Sequence, residues 1–195
     1  HSTLIGGGFG RKGSTDFSDL AIHASRHAGT PIKLIYTREQ CFAHGFYRPG
    51  ILCRQSARLD EQGMPVDWFI EVAGQNIAAA FMPKAMLNMA SIQSIVLEGL
   101  KEMPYAIPTR HTDYARVDLP IPVGWWRSVA GSTNGFLRES FLDEIAHAGK
   151  LDPVDMRLRL LAEAPREKRV YQAALEAAGE LKKGLSRGTA LFSSF

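Results

Sequence analysis

The sequence contains few cysteines and no long apolar run, and these two shortages exclude whole classes of protein. Cys41 and Cys53 are its only cysteines, too few for a disulfide scaffold and without the CxxC spacing of thiol-redox or zinc sites. No stretch of about 18 consecutive apolar residues occurs, so the sequence predicts no membrane-spanning helix. Basic residues exceed acidic ones only by 23 to 20 and form no basic stripe, which argues against a nucleic-acid-binding protein.

What the sequence does contain is the composition of a folded domain. Of its 195 residues, 45% are hydrophobic and 22% are charged, which suits a globular chain with a buried core. The sequence starts with His1, reaches a glycine cluster within a few residues and stops in the strand-like run 191–195. We therefore expect it to be a piece of a longer protein.

Apolar periodicity predicts the elements of the first half of the chain. The patterns indicate a strand at 2–5, a glycine loop at 6–13, a helix at 14–28, a strand at 32–37 and a β-hairpin with strands at 51–59 and 66–72 around the turn 60–63. Gly29 and Pro31 are expected to end the first helix.

The second half of the chain is predicted to be mainly helical. The patterns indicate a helix near 91–101, one or two strands within 105–118, and helices at 132–148, from Pro153 to Pro165 and at 166–179. Strands and helices mixed with an antiparallel hairpin, then helices, predict the α+β class. We divide the chain into an α+β segment at 1–121, and a segment at 122–195 with a tryptophan–arginine turn, helices and the start of a strand.

The glycine loop is the first candidate binding feature. Glycines between a strand and a helix let backbone N–H groups approach an anion. The Walker A pattern fails because Lys12 is followed by glycine, but Gly8, Gly10 and Gly13 fit GxGxxG. A stand-alone phosphate- or nucleotide-binding module is therefore one alternative, although the hairpin at 51–73 breaks the βαβ rhythm. The other alternative is a plain turn in which Arg11 and Lys12 are solvated.

The turn at 122–132 is the second candidate feature. Two adjacent tryptophans, Trp125 and Trp126, precede Arg127 and Ser128 in a segment flanked by glycines. Tryptophan offers a flat apolar surface, and arginine offers a planar fork of donors for carbonyl, phosphate or pterin-like acceptors. The structural alternative is that one tryptophan covers the core while Arg127 pairs with a carboxylate such as Glu139.

Weaker motifs in the sequence do not support a catalytic site. His23 and His27 are spaced as a helical pair, but no third metal ligand is evident. The GxSxG pattern at 184–188 lacks the preceding strand and following helix of a hydrolase. Arg157 and Arg159 are expected on a solvated helix face.

Taken together, the glycine loop and the tryptophan–arginine turn carry a family resemblance. The chain resembles the molybdopterin-binding large subunit of the xanthine dehydrogenase/aldehyde oxidase family, in the branch of the isoquinoline 1-oxidoreductase β subunit, often called aldehyde dehydrogenase. The matching motifs occur in the same order along the chain, at 4–12, 32–39 (IKLIYTRE), 46–49 (FYRP), 105–108 (YAIP), 124–129 (GWWRSV) and 139–148 followed by 152–153.

The resemblance implies a molybdenum hydroxylase that oxidises aldehydes or N-heterocycles with water-derived oxygen. It implies that the backbone of the glycine loop lies against the molybdenum and its dithiolene and that the arginine of the second turn contacts the pterin. The cofactor-binding residues implied in this way are Gly7, Gly8, Phe9, Gly10, Trp126, Arg127 and Ser128. It also implies a molybdopterin of the cytosine dinucleotide form and a small partner subunit with [2Fe–2S] clusters.

Departures from the pattern of the xanthine dehydrogenase branch indicate which branch of the family the chain resembles. The xanthine dehydrogenase branch has a second glycine at the position of Arg11 and Phe-Arg-Gly at the position of Trp126 to Ser128, so the isoquinoline branch is favoured and a purine substrate is not. The family's catalytic glutamate is expected beyond Phe195, so we assign no catalytic residue and no metal ligand to this chain. A non-catalytic scaffold segment, whose exposed edges meet the rest of the large subunit, remains a third alternative.

Overall fold

A computed structural model describes residues 4–180, 184 and 186–192. The helices of this part of the chain are α1 (Asp16–Ala28), α2 (Arg38–His44), α3 (Ala90–Ser94), α4 (Gly131–Ala148), α5 (Pro153–Leu160) and α6 (Pro165–Ala178). Its strands are β1 (Ile51–Leu59), β2 (Pro65–Gly74) and β3 (Thr109–Arg116), which form one sheet in the order β1-β2-β3. Short 3₁₀ turns lie at Arg11–Gly13, Ile77–Ala80, Lys84–Asn88 and Ile95–Leu97. The α+β prediction is confirmed.

The chain divides into two compact units, each assembled from three segments. The first unit comprises His1–Gly50, Gly74–Val96 and Arg116–Val129, and the second comprises Ile51–Ala73, Leu97–Ala115 and Ala130–Phe195. The division of the sequence at 121/122 stays a prediction. None of the helices within the described ranges is both long and apolar enough to cross a bilayer.

The hairpin and α4 build the core of the second unit. Along β1, half-buried side chains alternate with exposed ones, and from Trp68 to Gly74 of β2 buried residues alternate with exposed or half-buried ones, as a sheet with one covered face requires. Trp68 is fully buried and packs against Phe141 of α4, with ring centroids 5.4 Å apart. Gln55 accepts a hydrogen bond from Trp68 Nε1 and donates one to the Leu137 carbonyl, at 3.2 and 3.0 Å, which ties β1 to both partners. The predicted hairpin is confirmed.

Glycine, proline and a capping aspartate begin or end the helices at the positions that the sequence indicates. Gly29 ends α1 in the left-handed region, at φ +66°. The Asp152 carboxylate accepts the N–H groups of Val154 and Asp155, and Pro153 occupies the first turn of α5. The predictions for α1, α4, α5 and α6 are confirmed to within a few residues.

Two predicted strands are wrong in the described residues. Leu4 and Ile5 are exposed and belong to no strand, while Ser2 and Thr3 lie outside the described residues. Residues 31–37 are also outside any strand. A β pattern becomes a strand only when a neighbouring strand supplies its hydrogen bonds, and the described sheet contains β1, β2 and β3 alone.

Two further predictions need correction, and one helix was not predicted. The helix expected near 91–101 is reduced to α3 and the turn Ile95–Leu97, because the apolar residues there follow no single helical face. Helix α2 was not predicted, although its capping box is readable: Thr37 Oγ1 accepts the Gln40 N–H and Gln40 Oε1 accepts the Thr37 N–H. Residues 191–192 form no strand, and 193–195 lie outside the described residues.

Candidate functional site

The glycine loop (residues 6–13) and the tryptophan–arginine turn (residues 124–129) meet in the first unit. Gly10 has φ +86°, a conformation that side-chain-bearing residues rarely adopt. A Cβ atom at Gly10 would lie 2.5 Å from both the carbonyl carbon and the oxygen of Trp125. Position 10 therefore needs glycine both for its dihedral angle and for the close approach of the two backbones.

Arg127 contacts the glycine loop through Phe9. Its guanidinium lies 4.1 Å from the centroid of the Phe9 ring, a close cation–π contact. Phe9 itself has φ +51° and remains 54% exposed. Within the described residues, the Arg127 guanidinium donates no hydrogen bond to the protein, so its donors are available to a ligand.

The glycine loop presents unused backbone donors of its own. Among described residues, the N–H groups of residues 6–11 donate to no backbone or side-chain acceptor. The space beside Gly6 and Gly8 is open, because a Cβ at Gly6 would meet nothing within 4 Å and one at Gly8 only the Lys12 Cβ at 3.8 Å, whereas Gly7 and Gly10 are closely approached by Phe9 and Trp125. An open backbone with free N–H groups beside an exposed guanidinium fits a ligand rich in acceptor atoms, as a pterin with its phosphate is.

Residues 46–48 hold the tryptophan–arginine turn. Tyr47 forms a parallel β-bridge with Val123, in which its N–H donates to the Pro122 carbonyl and its own carbonyl accepts the Gly124 N–H, at 2.9 and 3.1 Å. Trp126 Nε1 donates to the Phe46 carbonyl at 2.9 Å. The turn is thus fixed from the side by a neighbouring extended segment.

Buried Gln75 fixes the segment that enters the turn. Its Nε2 donates to the carbonyls of Leu119 and Ile121, at 3.2 and 2.9 Å. Sequence reasoning gave no role to Gln75 or to residues 46–48, although 46–49 was one of the motifs that carried the resemblance.

Arg11 is ion-paired and half-buried rather than simply solvated, so the plain-turn alternative is wrong on this point. Its guanidinium forms two hydrogen bonds with the Asp16 carboxylate, both of 2.7 Å, and lies over the rings of Phe17 and Phe46. The hydrogen bonds from Arg11, with a further one from Ser14, lower the pKa of Asp16 to about 2.

This ion pair also bears on the nucleotide-binding alternative. The first turn of α1 already carries the ionised Asp16, together with Asp19. A phosphate at that helix end would meet like charge, so the geometry does not favour a nucleotide site of the GxGxxG type.

A buried charge cluster stabilises the second unit. The Glu139 carboxylate, considered above as a partner for Arg127, is ion-paired with Arg138 and Arg157, at 2.9 and 3.1 Å. Arg157 also bonds Asp143 at 2.6 Å and is fully buried, so its predicted solvated position is wrong. Burial, which lowers the pKa of Arg157, is outweighed by the hydrogen bond to Asp143 and the charge of Glu139, which raise it. Arg157 therefore remains charged inside the unit.

Tyr105 completes this cluster. Its hydroxyl donates toward both Glu139 oxygens, at 3.1 and 3.0 Å. Burial, reinforced by the Glu139 charge, raises the pKa of Tyr105 well above its ordinary value. Nothing in the sequence pattern marks this cluster, because burial of charge follows from tertiary packing.

The metal-ligating side chains that the structure describes do not cluster. In the described ranges, no group of three histidine, cysteine or carboxylate side chains could hold a metal ion. His23 and His27 are both exposed on α1.

Comparison with known proteins gives the family of this chain. A family model described as "Molybdopterin cofactor-binding domain" matches residues 1–161. The isoquinoline 1-oxidoreductase subunit beta of Brevundimonas diminuta is 27% identical, over 90% of this chain and 22% of the relative. The membrane-bound aldehyde dehydrogenase (pyrroloquinoline-quinone) of Gluconacetobacter polyoxogenes is 31% identical, over 86% of this chain and 22% of the relative.

A solved structure shares the fold. The aldehyde oxidoreductase of Desulfovibrio gigas superposes with a TM-score of 0.65 at 19% identity, over 89% of this chain and 21% of its own. The chain thus spans about a fifth of the length of the relatives that it matches. The family model covers most of the chain, including the glycine loop and the tryptophan–arginine turn. The chain belongs to the molybdopterin cofactor-binding domain family.

Proposed function

We propose that this chain is the part of a molybdenum hydroxylase large subunit that holds the molybdopterin through its glycine loop and its tryptophan–arginine turn. The observation that carries the proposal is the meeting of these two segments at Gly10 and Trp125, with an Arg127 guanidinium that donates to no acceptor in the part of the chain that the structure describes. When bound, the molybdenum cofactor supplies hydroxylation with water-derived oxygen, on an aldehyde or an electron-poor N-heterocycle.

The residues of the chain would bind and orient that cofactor. Gly7, Gly8, Phe9 and Gly10 offer backbone N–H groups that need no reorganisation, because their geometry is set before the ligand arrives. Arg127 would hold acceptor atoms of the pterin with its planar fork, flanked by Trp126 and Ser128.

The proposal includes partners and a finer cofactor identity. Electrons would leave through [2Fe–2S] clusters on a small subunit, and the remainder of the large subunit would supply the catalytic base. The name of the Brevundimonas relative, a "subunit beta", supports a multi-subunit assembly. We propose the cytosine dinucleotide form of molybdopterin and the isoquinoline-type branch, as the departures at Arg11 and Ser128 favour.

Metal and pterin analysis of the longer protein, co-expressed with its iron–sulfur partner, tests the proposal. The wild type should contain near-stoichiometric molybdenum and pterin and release CMP on hydrolysis. Arg127→Ala should lose at least about 90% of the cofactor, since removing a charged donor from a binding site costs a factor of ten or more. Arg26→Ala is the matched control, because Arg26 is an exposed arginine on α1.

Three outcomes would contradict the proposal. A wild type without molybdenum, under conditions that load a control enzyme, would remove the function. Full cofactor content in Arg127→Ala would remove the role of that residue. Aldehyde oxidation by residues 1–195 alone would refute the expectation that catalysis needs the remainder of the large subunit.

A further inference from the structure

Two successive residues of the tryptophan–arginine turn adopt an unfavourable backbone conformation. Ser128 and Val129 have φ values of +60° and +44°, in the left-handed region. A β-branched residue such as valine is rare there, because its side chain crowds the backbone. Something in the surroundings must therefore hold this pair of residues in place.

The Arg48 guanidinium makes the hydrogen bonds that hold Ser128 and Val129 in this conformation. Its Nη2 donates to the Arg127 carbonyl at 2.7 Å and its Nη1 donates to the Val129 carbonyl at 3.1 Å. One planar guanidinium thus spans the carbonyl before the strained pair and the carbonyl at its end. The same guanidinium lies 5.7 Å from the Trp126 ring centroid, which adds a cation–π contact.

Arg48 is itself anchored by its neighbours in the chain. Tyr47 is bonded through its N–H and its carbonyl to the backbone at 122–124, and the Phe46 carbonyl accepts Trp126 Nε1. The Arg48 side chain therefore projects from a fixed segment. One of the carbonyls that Arg48 binds is the carbonyl of Arg127, so Arg48 fixes the peptide plane next to the Arg127 side chain. That side chain is the one that lies over the Phe9 ring.

We propose that Arg48 is a positioning residue for the cofactor site: its fork across two carbonyls fixes the strained turn and so holds Arg127 against the glycine loop. This inference rests on the proposed function of Arg127. This positioning role requires an arginine at position 48, because a lysine ammonium cannot reproduce the planar two-donor fork.

The test uses the longer protein with its partner subunit and the variants Arg48→Met and Arg48→Lys, with Arg26→Met as matched control. Arg48→Met should lower molybdenum and pterin content about tenfold, because two charge-assisted hydrogen bonds to the turn are lost. Arg48→Lys should retain an intermediate content. The double variant Arg48→Met/Arg127→Ala should hold no less cofactor than Arg127→Ala alone, because Arg48 acts through Arg127.

A second readout does not depend on the cofactor. Hydrogen exchange of the Val129 amide, which donates to the Trp126 carbonyl at 2.9 Å, should quicken about tenfold in Arg48→Met and remain unchanged in Arg26→Met. If Arg48→Met does not fold, Arg48→Lys decides both readouts.

The results separate this inference from the proposed function. A wild type without molybdenum defeats the proposed function, and with it the cofactor role inferred for Arg48. A loaded wild type with unchanged cofactor and unchanged exchange in Arg48→Met would defeat the role of Arg48 alone. A double variant that falls well below Arg127→Ala would show that Arg48 acts independently of Arg127, which also overturns the inference.

Discussion

Replacing Gly10 with alanine perturbs the contact on which the whole site depends. The new Cβ would stand 2.5 Å from the Trp125 carbonyl, at a residue with φ +86°. The left-handed conformation costs a side-chain-bearing residue about 1–2 kcal/mol, and overpacking against an immobile neighbour costs about 1–3 kcal/mol. The arrangement of loop and turn should therefore lose about 2–5 kcal/mol of stability, the sum of these two costs.

Hydrogen exchange followed by mass spectrometry measures this loss locally. The amides of Gly124 and Val129 donate to the carbonyls of Tyr47 and Trp126, so they report whether the turn is closed. A loss of about 2 kcal/mol or more corresponds to exchange at least about 30-fold faster in a peptide covering the turn. Gly50→Ala is the control, because a Cβ at Gly50 would meet nothing within 4 Å and its φ is not left-handed. Equal exchange in Gly10→Ala and Gly50→Ala would refute the argument that the two backbones are in contact.

Further predictions concern the ion pairs. Glu139→Gln leaves Arg138 and Arg157 buried without their shared carboxylate, so the free energy of unfolding, measured in urea, should fall by about 3–5 kcal/mol. Glu144 lies on the exposed side of α4, so the control Glu144→Gln should change the free energy of unfolding by less than about 0.5 kcal/mol. Similar effects of both variants would contradict a buried cluster. The pKa of Asp16 is lowered to about 2 from 3.8, so its pair with Arg11 contributes stability above about pH 4 that is lost as the pH falls toward 2. The stability difference between wild type and Asp16→Asn should shrink over that interval in acid titrations, and a difference independent of pH would rule out the pair.

Elements whose signals are local could be predicted from the sequence. The hairpin followed from alternation on both sides of the turn 60–63, which begins with Asp60 and ends with Gly63, and α5 followed from Asp152 and Pro153, because a turn or a cap is decided by a few adjacent residues. The strand predicted at 32–37 failed for the opposite reason. Its alternating pattern is real, but the hydrogen bonds of a strand come from a partner elsewhere in the fold, and the described sheet provides none.

In the candidate site too, features set by adjacent residues could be predicted from the sequence, and contacts between distant segments could not. The need for glycine at position 10 could be inferred from the sequence, but not its closeness to Trp125, which lies far along the chain. The family resemblance suggested that both segments serve one cofactor, and the structure brings them together. Arg48 was missed because its role depends on carbonyl positions in a distant turn, and Arg157 was misplaced because its burial depends on Glu139 and Asp143.

The most direct test of the account is to locate molybdenum in crystals of the longer, cofactor-loaded protein by anomalous scattering at the molybdenum edge. We expect an anomalous peak beside the backbone of Gly7 to Gly10, with the pterin in hydrogen-bonding contact with Arg127. A peak elsewhere, with the glycine loop facing solvent and Arg127 making no contact with the cofactor, would contradict the central claim that these two segments hold it.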